Sequence, residues 1–157
     1  MENDLQLFLY RCPDEQAYAL SEVLCDWELS YDWDGEFAEL GEVSLGMEPY
    51  TYREAVCLDV VKQLADEIIK AAPGAWFQAW TDPSEGALGT LVQYTPELGK
   101  FEAYCDADGQ PHFTAHEVLQ AAKLGEVGAK VLTGYAWSQV LNGSATERVI
   151  KVEVPET

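Results

Sequence analysis

The stretch from Trp76 to Cys105 reads WFQAWT, DPSEGA, LGTLVQYT, PELG, KFEAYC, and its reading decides the fold. Three runs, 76–81, 88–95 and 100–105, are rich in the aromatic and β-branched residues that fit a pleated surface. Asp82-Pro83 separates the first two, and Pro96 to Gly99 separates the last two. Both are turn signals, so the segment predicts three short strands joined as antiparallel hairpins.

Upstream lies a helix. Cys57, Val61, Leu64 and Ile68 recur at helical spacing, and Pro73-Gly74 stops the pattern after Ala72. Thr51-Tyr52-Arg53-Glu54 has the form of a capping box, which predicts the start of that helix. Further upstream, 5–10 reads as a first strand. Pro13 then suits a first helical position, with Asp14 and Glu15 at the positive end of the dipole. Ala17, Leu20, Leu24 and Trp27 give that helix one apolar face, ending near Trp27.

Downstream, Asp108-Gly109 predicts a turn and 110–113 a short extension of the sheet. Thr114-Ala115-His116-Glu117 is a second capping box, opening a helix through Lys123. Another helix is expected over 127–141, closed by Asn142-Gly143, and a last strand over 149–154. No linker, repeat or low-complexity stretch divides the chain. The expectation is one α+β domain over residues 1–157, with a largely antiparallel mixed sheet and helices on one face.

Tyr94-Thr95-Pro96-x-Leu98-Gly99-x-Phe101-x-Ala103, then a glycine turn and Glu117-x-Leu119-x-Ala121-Ala122, resembles an uncharacterised family of small actinobacterial proteins. The strand–helix–strand start, with Asp32-Trp33 after the first helix, is also similar, so the resemblance spans residues 5–122. Its motifs are turn and core residues. It implies a shared fold and an actinobacterial or phage setting, and it implies no activity.

Charge sets the function classes. The chain of 157 residues carries 28 acids against 9 Lys and Arg, a net charge of −19. Such a field repels nucleic acid and anionic membranes and attracts basic surfaces. Direct nucleic-acid binding is not expected, because Lys and Arg contacts to phosphate supply most of that affinity. Residues 1–60 hold 15 acids and 2 bases, net −13, whereas residues 111–157 hold 5 acids and 4 bases, net −1. A uniform solubility coat would not be so uneven.

Glu28, Asp32, Asp34 and Glu36 alternate with Leu29, Tyr31, Trp33 and Phe37. Period-two alternation predicts a strand with an aromatic inner face and a carboxylate outer face. Its carboxylates would stand about 6.5–7 Å apart, close to the spacing of successive phosphates on a nucleic-acid strand. Glu22, Asp26, Glu39 and Glu42 would widen the row, and 43–47 is a candidate partner strand. These eight residues are the candidate partner-binding site. The plainer reading is a solvated outer strand, charged against edge-to-edge aggregation.

No candidate for catalysis, metal or cofactor binding emerges. Asp32-x-Asp34-Gly35 and Asp106-x-Asp108-Gly109 do not fit the calcium-loop pattern and read as turns. His112 and His116 share helical spacing, but His112 precedes the expected N-cap. A Cys105–His112 dyad has no motif around it. Cys12, Cys25, Cys57 and Cys105 form no CxxC and read as free, mostly buried thiols of a reducing compartment. No run reaches transmembrane length and the acidic N-terminus is no signal peptide, so a cytoplasmic protein is expected. The function expected is a non-enzymatic binding or inhibitor protein, a DNA mimic facing a basic nucleic-acid-binding protein. The alternatives are an immunity protein or antitoxin for one cognate toxin, and an acidic structural domain. Oligomeric state is not readable.

Overall fold

The computed structural model describes residues 5–31, 36–47, 49–52, 60–83, 88–144 and 146–154. In chain order the elements are β1 (Leu5–Arg11), a 3-10 turn (Asp14–Gln16), α1 (Ala17–Asp26), β2 (Glu42–Leu45), β3 (Tyr50–Tyr52) and α2 (Val60–Ala71). There follow β4 (Trp76–Thr81), β5 (Gly89–Thr95), β6 (Gly99–Cys105), β7 (Pro111–His112), α3 (Ala115–Lys123), α4 (Gly125–Leu132), α5 (Tyr135–Ser144) and β8 (Arg148–Lys151).

Six strands form one sheet in the order β3-β1-β4-β5-β6-β7. The hairpins expected from 76–105 are its centre, with Phe77 opposite Tyr94 and Gln93 opposite Phe101. Every strand pairing is antiparallel. β2 pairs with β8 in a separate two-stranded sheet, Val43 opposite Ile150. The α+β class and the antiparallel sheet therefore stand.

The helices do not all lie on one face. Leu5, Leu7 and Leu9 point to one side of β1 and join Phe77, Ala79 and Val92 in a core with Leu20 and Leu24 of α1 and Val61, Leu64 and Ile68 of α2. Tyr10, with Phe8 packed against it, lies on the other side of β1 and meets Phe101, Trp137 and Leu141. α5 thus covers the face opposite α1 and α2. The reason is legible in LQLFLY and WFQAWT, which are apolar at odd and even positions alike. Strands of that kind need cover on both faces. Each fully buried leucine contributes roughly 1.5–3 kcal/mol.

Thr51, expected to open a helix, is a strand residue. It pairs with Gln6 within β3, and its N–H and C=O both exchange hydrogen bonds with Ser30. Arg53, Glu54 and Cys57 lie outside the described residues. The buried stripe Val61, Leu64 and Ile68 is as expected. The helix foreseen over 127–141 is broken at Gly134, which has φ 74° and lies against the Phe101 ring, where a Cβ would collide. The second capping box is intact: Glu117 N donates to Thr114 Oγ1 at 3.2 Å, and Thr114 N donates to Glu117 Oε1 at 2.9 Å.

Candidate partner-binding surface

The acidic segment after α1 is not one extended strand. Glu28 takes a left-handed φ of 54°, and Leu29 N donates back to Leu24 O, which closes the helix. Ser30 then bridges both Phe37 and Thr51. Tyr31 N donates to Glu36 O, and Ala38 N donates to Leu29 O. Residues 29–31 therefore run antiparallel to 36–38, with Ser30 opposite Phe37. That register sets an even position beside an odd one, so the alternating residues do not share one face. Leu29 is buried, Tyr31 half-buried, and Phe37 is 66% exposed instead of facing inward. The flat row Glu28, Asp32, Asp34, Glu36 is thus overturned for Glu28 and Glu36. Asp32, Trp33 and Asp34 lie outside the described residues. Among the described residues β2 pairs with β8 and not with this segment.

A different acidic surface is assembled. Glu22 and Asp26 stand one turn apart on α1, both exposed. The loop after Ala38 is fastened along that helix: Gly41 N donates to Ser21 Oγ at 2.8 Å, and the Cys25 thiol donates to Ala38 O at 3.2 Å. Glu39 N reaches the Tyr31 hydroxyl at 3.4 Å.

The electrostatics record the convergence. Burial pushes the Cys25 thiol above its ordinary pKa, and the neighbouring Asp26 and Glu39 carboxylates push it further. Burial also raises Tyr31; the backbone contact to Glu39 lowers it, and the Glu42 and Glu39 carboxylates raise it again. Asp26, Glu39 and Glu42 thus act on the same small neighbourhood.

Glu67 of α2 adds to it, accepting from the Trp27 indole N–H. Glu67 was missed because it reads as an ordinary exposed position of an amphipathic helix.

These carboxylates are not neutralised among the described residues. The ion pairs found there lie elsewhere: Lys62 and Lys100 with Asp66 and Glu102, Arg148 with Asp14, His112 with Asp106, Lys130 with Glu126. Those pairs leave Glu22, Asp26 and Glu39 without a cation among the described residues, whereas Lys151 stands opposite Glu42 in the β2–β8 ladder.

The residues weighed for chemistry are kept apart. Cys105 lies opposite Pro111 in the ladder and His112 opposite Tyr104, so the thiol and the imidazole are on opposite faces of the sheet. The Cys105 thiol is buried, donates to Thr81 O, and is pushed up to about 12 by burial. Asp106 shapes a turn, accepting from Asp108 N at 2.9 Å and Gln110 N at 3.0 Å. Those bonds, Gln110 first, and the His112 side chain hold its carboxyl below the usual range. Cys12, Cys25 and Cys105 are free thiols. Among the described residues no three His, Cys, Asp or Glu side chains are disposed to hold a metal ion, and no helix is long and apolar enough to cross a membrane. A cleft of about 620 Å³ opens beside Tyr31, lined by Ser44, Gly46, Met47, Pro49 and Glu147.

Compared with known proteins, the chain matches no family model, no curated protein and no solved structure.

Proposed function

We propose that this protein is a non-enzymatic binding protein whose acidic α1 surface occupies the basic groove of a nucleic-acid-binding protein. The observation that carries the reading is the exposed carboxylate surface of Glu22, Asp26 and Glu39, without an ion pair among the described residues of a chain that concentrates net −13 in residues 1–60. Like charges held together destabilise the folded state through self-repulsion, and a basic partner offsets that cost.

The surface imitates phosphate charge as a curved patch of helix and loop, not as a linear row. Opposite fields speed the encounter, and salt weakens it. A restriction, nuclease or other defence factor is the fitting class of partner, in a phage or mobile-element setting. The test is an affinity capture from a nuclease-treated lysate, eluted first with duplex DNA and then with salt. Basic DNA-binding proteins released by added duplex support mimicry. A clean eluate at low salt contradicts it and makes the charge a solubility feature.

A further inference from the structure

We infer that α3 and α4 form the interface of a homodimer. α3 buries only Ala121, and α4 buries none of its residues. Each nevertheless has an apolar stripe at helical spacing. On α3 it is Ala115, Val118, Leu119 and Ala122; entering and along α4 it is Leu124, Val127 and Val131. The stripes face water, with Leu119 63% and Val127 80% exposed. Helices of 9 and 8 residues are marginal in water without an apolar face packed away.

Two observations select a second copy of this chain as the cover. The first is charge. Residues 111–144 hold two acids, Glu117 and Glu126, and two bases, Lys123 and Lys130, net zero in a chain of −19. Two copies meet there without the repulsion that separates them elsewhere, and a basic partner finds no excess carboxylate to prefer. The second is extent. With Leu132 and Tyr135 the surface presents seven large apolar side chains, 43–80% exposed. At roughly 100 Å² each they approach the about 800 Å² per partner buried in a stable interface, well beyond scattered surface leucines. A twofold axis lets one stripe cover its own copy. α5, which anchors this arm through Trp137 and Leu141, packs on the sheet face opposite α1, so the acidic surface stays free in the dimer.

The inference stands apart from the acidic surface's function, and its test reads mass instead of partner capture. Sedimentation equilibrium of the full chain across the micromolar range should give twice the chain mass. The dimer should persist or tighten in high salt, because screening removes only the repulsion. Val127→Glu should weaken association about thirtyfold or more while leaving the circular dichroism unchanged. Where that variant loses its fold, hydrogen exchange of the unsubstituted chain decides, with amides of 115–132 slowing as concentration rises. A chain of monomer mass at every concentration and salt, a dimer indifferent to Val127→Glu, or exchange of 115–132 independent of concentration would overturn the proposal.

Discussion

The Ser21 hydroxyl oxygen accepts a hydrogen bond from the Gly41 amide at 2.8 Å, joining the first helix to the loop that carries Glu39 and leads into β2. Both residues are buried, and Ser21 itself donates to Tyr18 O at 2.6 Å. Ser21→Ala leaves the Gly41 N–H without its partner away from water. The expected cost is about 1–3 kcal/mol, read by denaturant unfolding. Faster amide exchange at 38–42 should accompany it, because the tether is local. An unchanged midpoint would mean that the loop holds its place by packing alone.

Trp137 fastens the C-terminal helices. Its ring packs on Phe101 with centroids 5.3 Å apart, and its Nε1 donates to Gly99 O at 2.8 Å. Trp137→Phe keeps most of the apolar contact and should cost about 1 kcal/mol for the lost hydrogen bond. Trp137→Ala should cost about 3–5 kcal/mol. Near-equal effects of the two would assign the stability to the hydrogen bond, against this view of the second core.

Much of this was legible in the sequence, and what was not has physical reasons. The hairpins of 76–105, the α1 and α2 stripes and the Thr114 capping box depend on neighbours in sequence, and their spacing carries them. The strand pairing of Thr51 was not legible because its partners, Ser30 and Gln6, are distant in sequence and no local pattern shows them. The single outer face expected for Glu28 and Glu36 was not legible as wrong, because the pairing of Ser30 with Phe37 leaves the polar–apolar rhythm of the sequence intact. The arrangement of the carboxylates depends on Ser21, Cys25 and Tyr31, whose bonds to the 38–41 loop no periodicity reveals.

Acid should act on two carboxyls. Asp106 is held below its ordinary pKa first by the Gln110 amide, and Glu117 first by the Thr114 amide. A lowered native pKa contributes stability that is present above the unfolded value and is lost as pH falls through the native one. Carboxyl-carbon NMR titration should therefore find both midpoints below those of the other exposed acids. Thr114→Ala should cost about 1 kcal/mol through the lost cap, and should raise Glu117 only in part, because the backbone amide at 114 remains.

Alkali should act on the thiols. Burial raises Cys12 to about 11 and Cys105 to about 12, from an ordinary value of 9.0. A raised native pKa contributes stability that is present below the unfolded value and is lost as pH climbs through the native one, near 11 to 12 here. With a thiol reagent at mildly alkaline pH and peptide mapping of the product, Cys25 should label before Cys12 and Cys105. Early labelling of Cys105 would contradict its inert placement.

The most direct test of the central claim compares the parent chain with a Glu22→Lys, Asp26→Lys, Glu39→Lys variant in capture from nuclease-treated lysate. All three positions are exposed, so the fold should hold within about 0.5 kcal/mol, checked by circular dichroism and melting. The parent should retain basic DNA-binding proteins that duplex DNA displaces, and the folded variant should retain none of them. Equal capture by a folded variant, or no DNA-displaceable capture by the parent, would contradict the account.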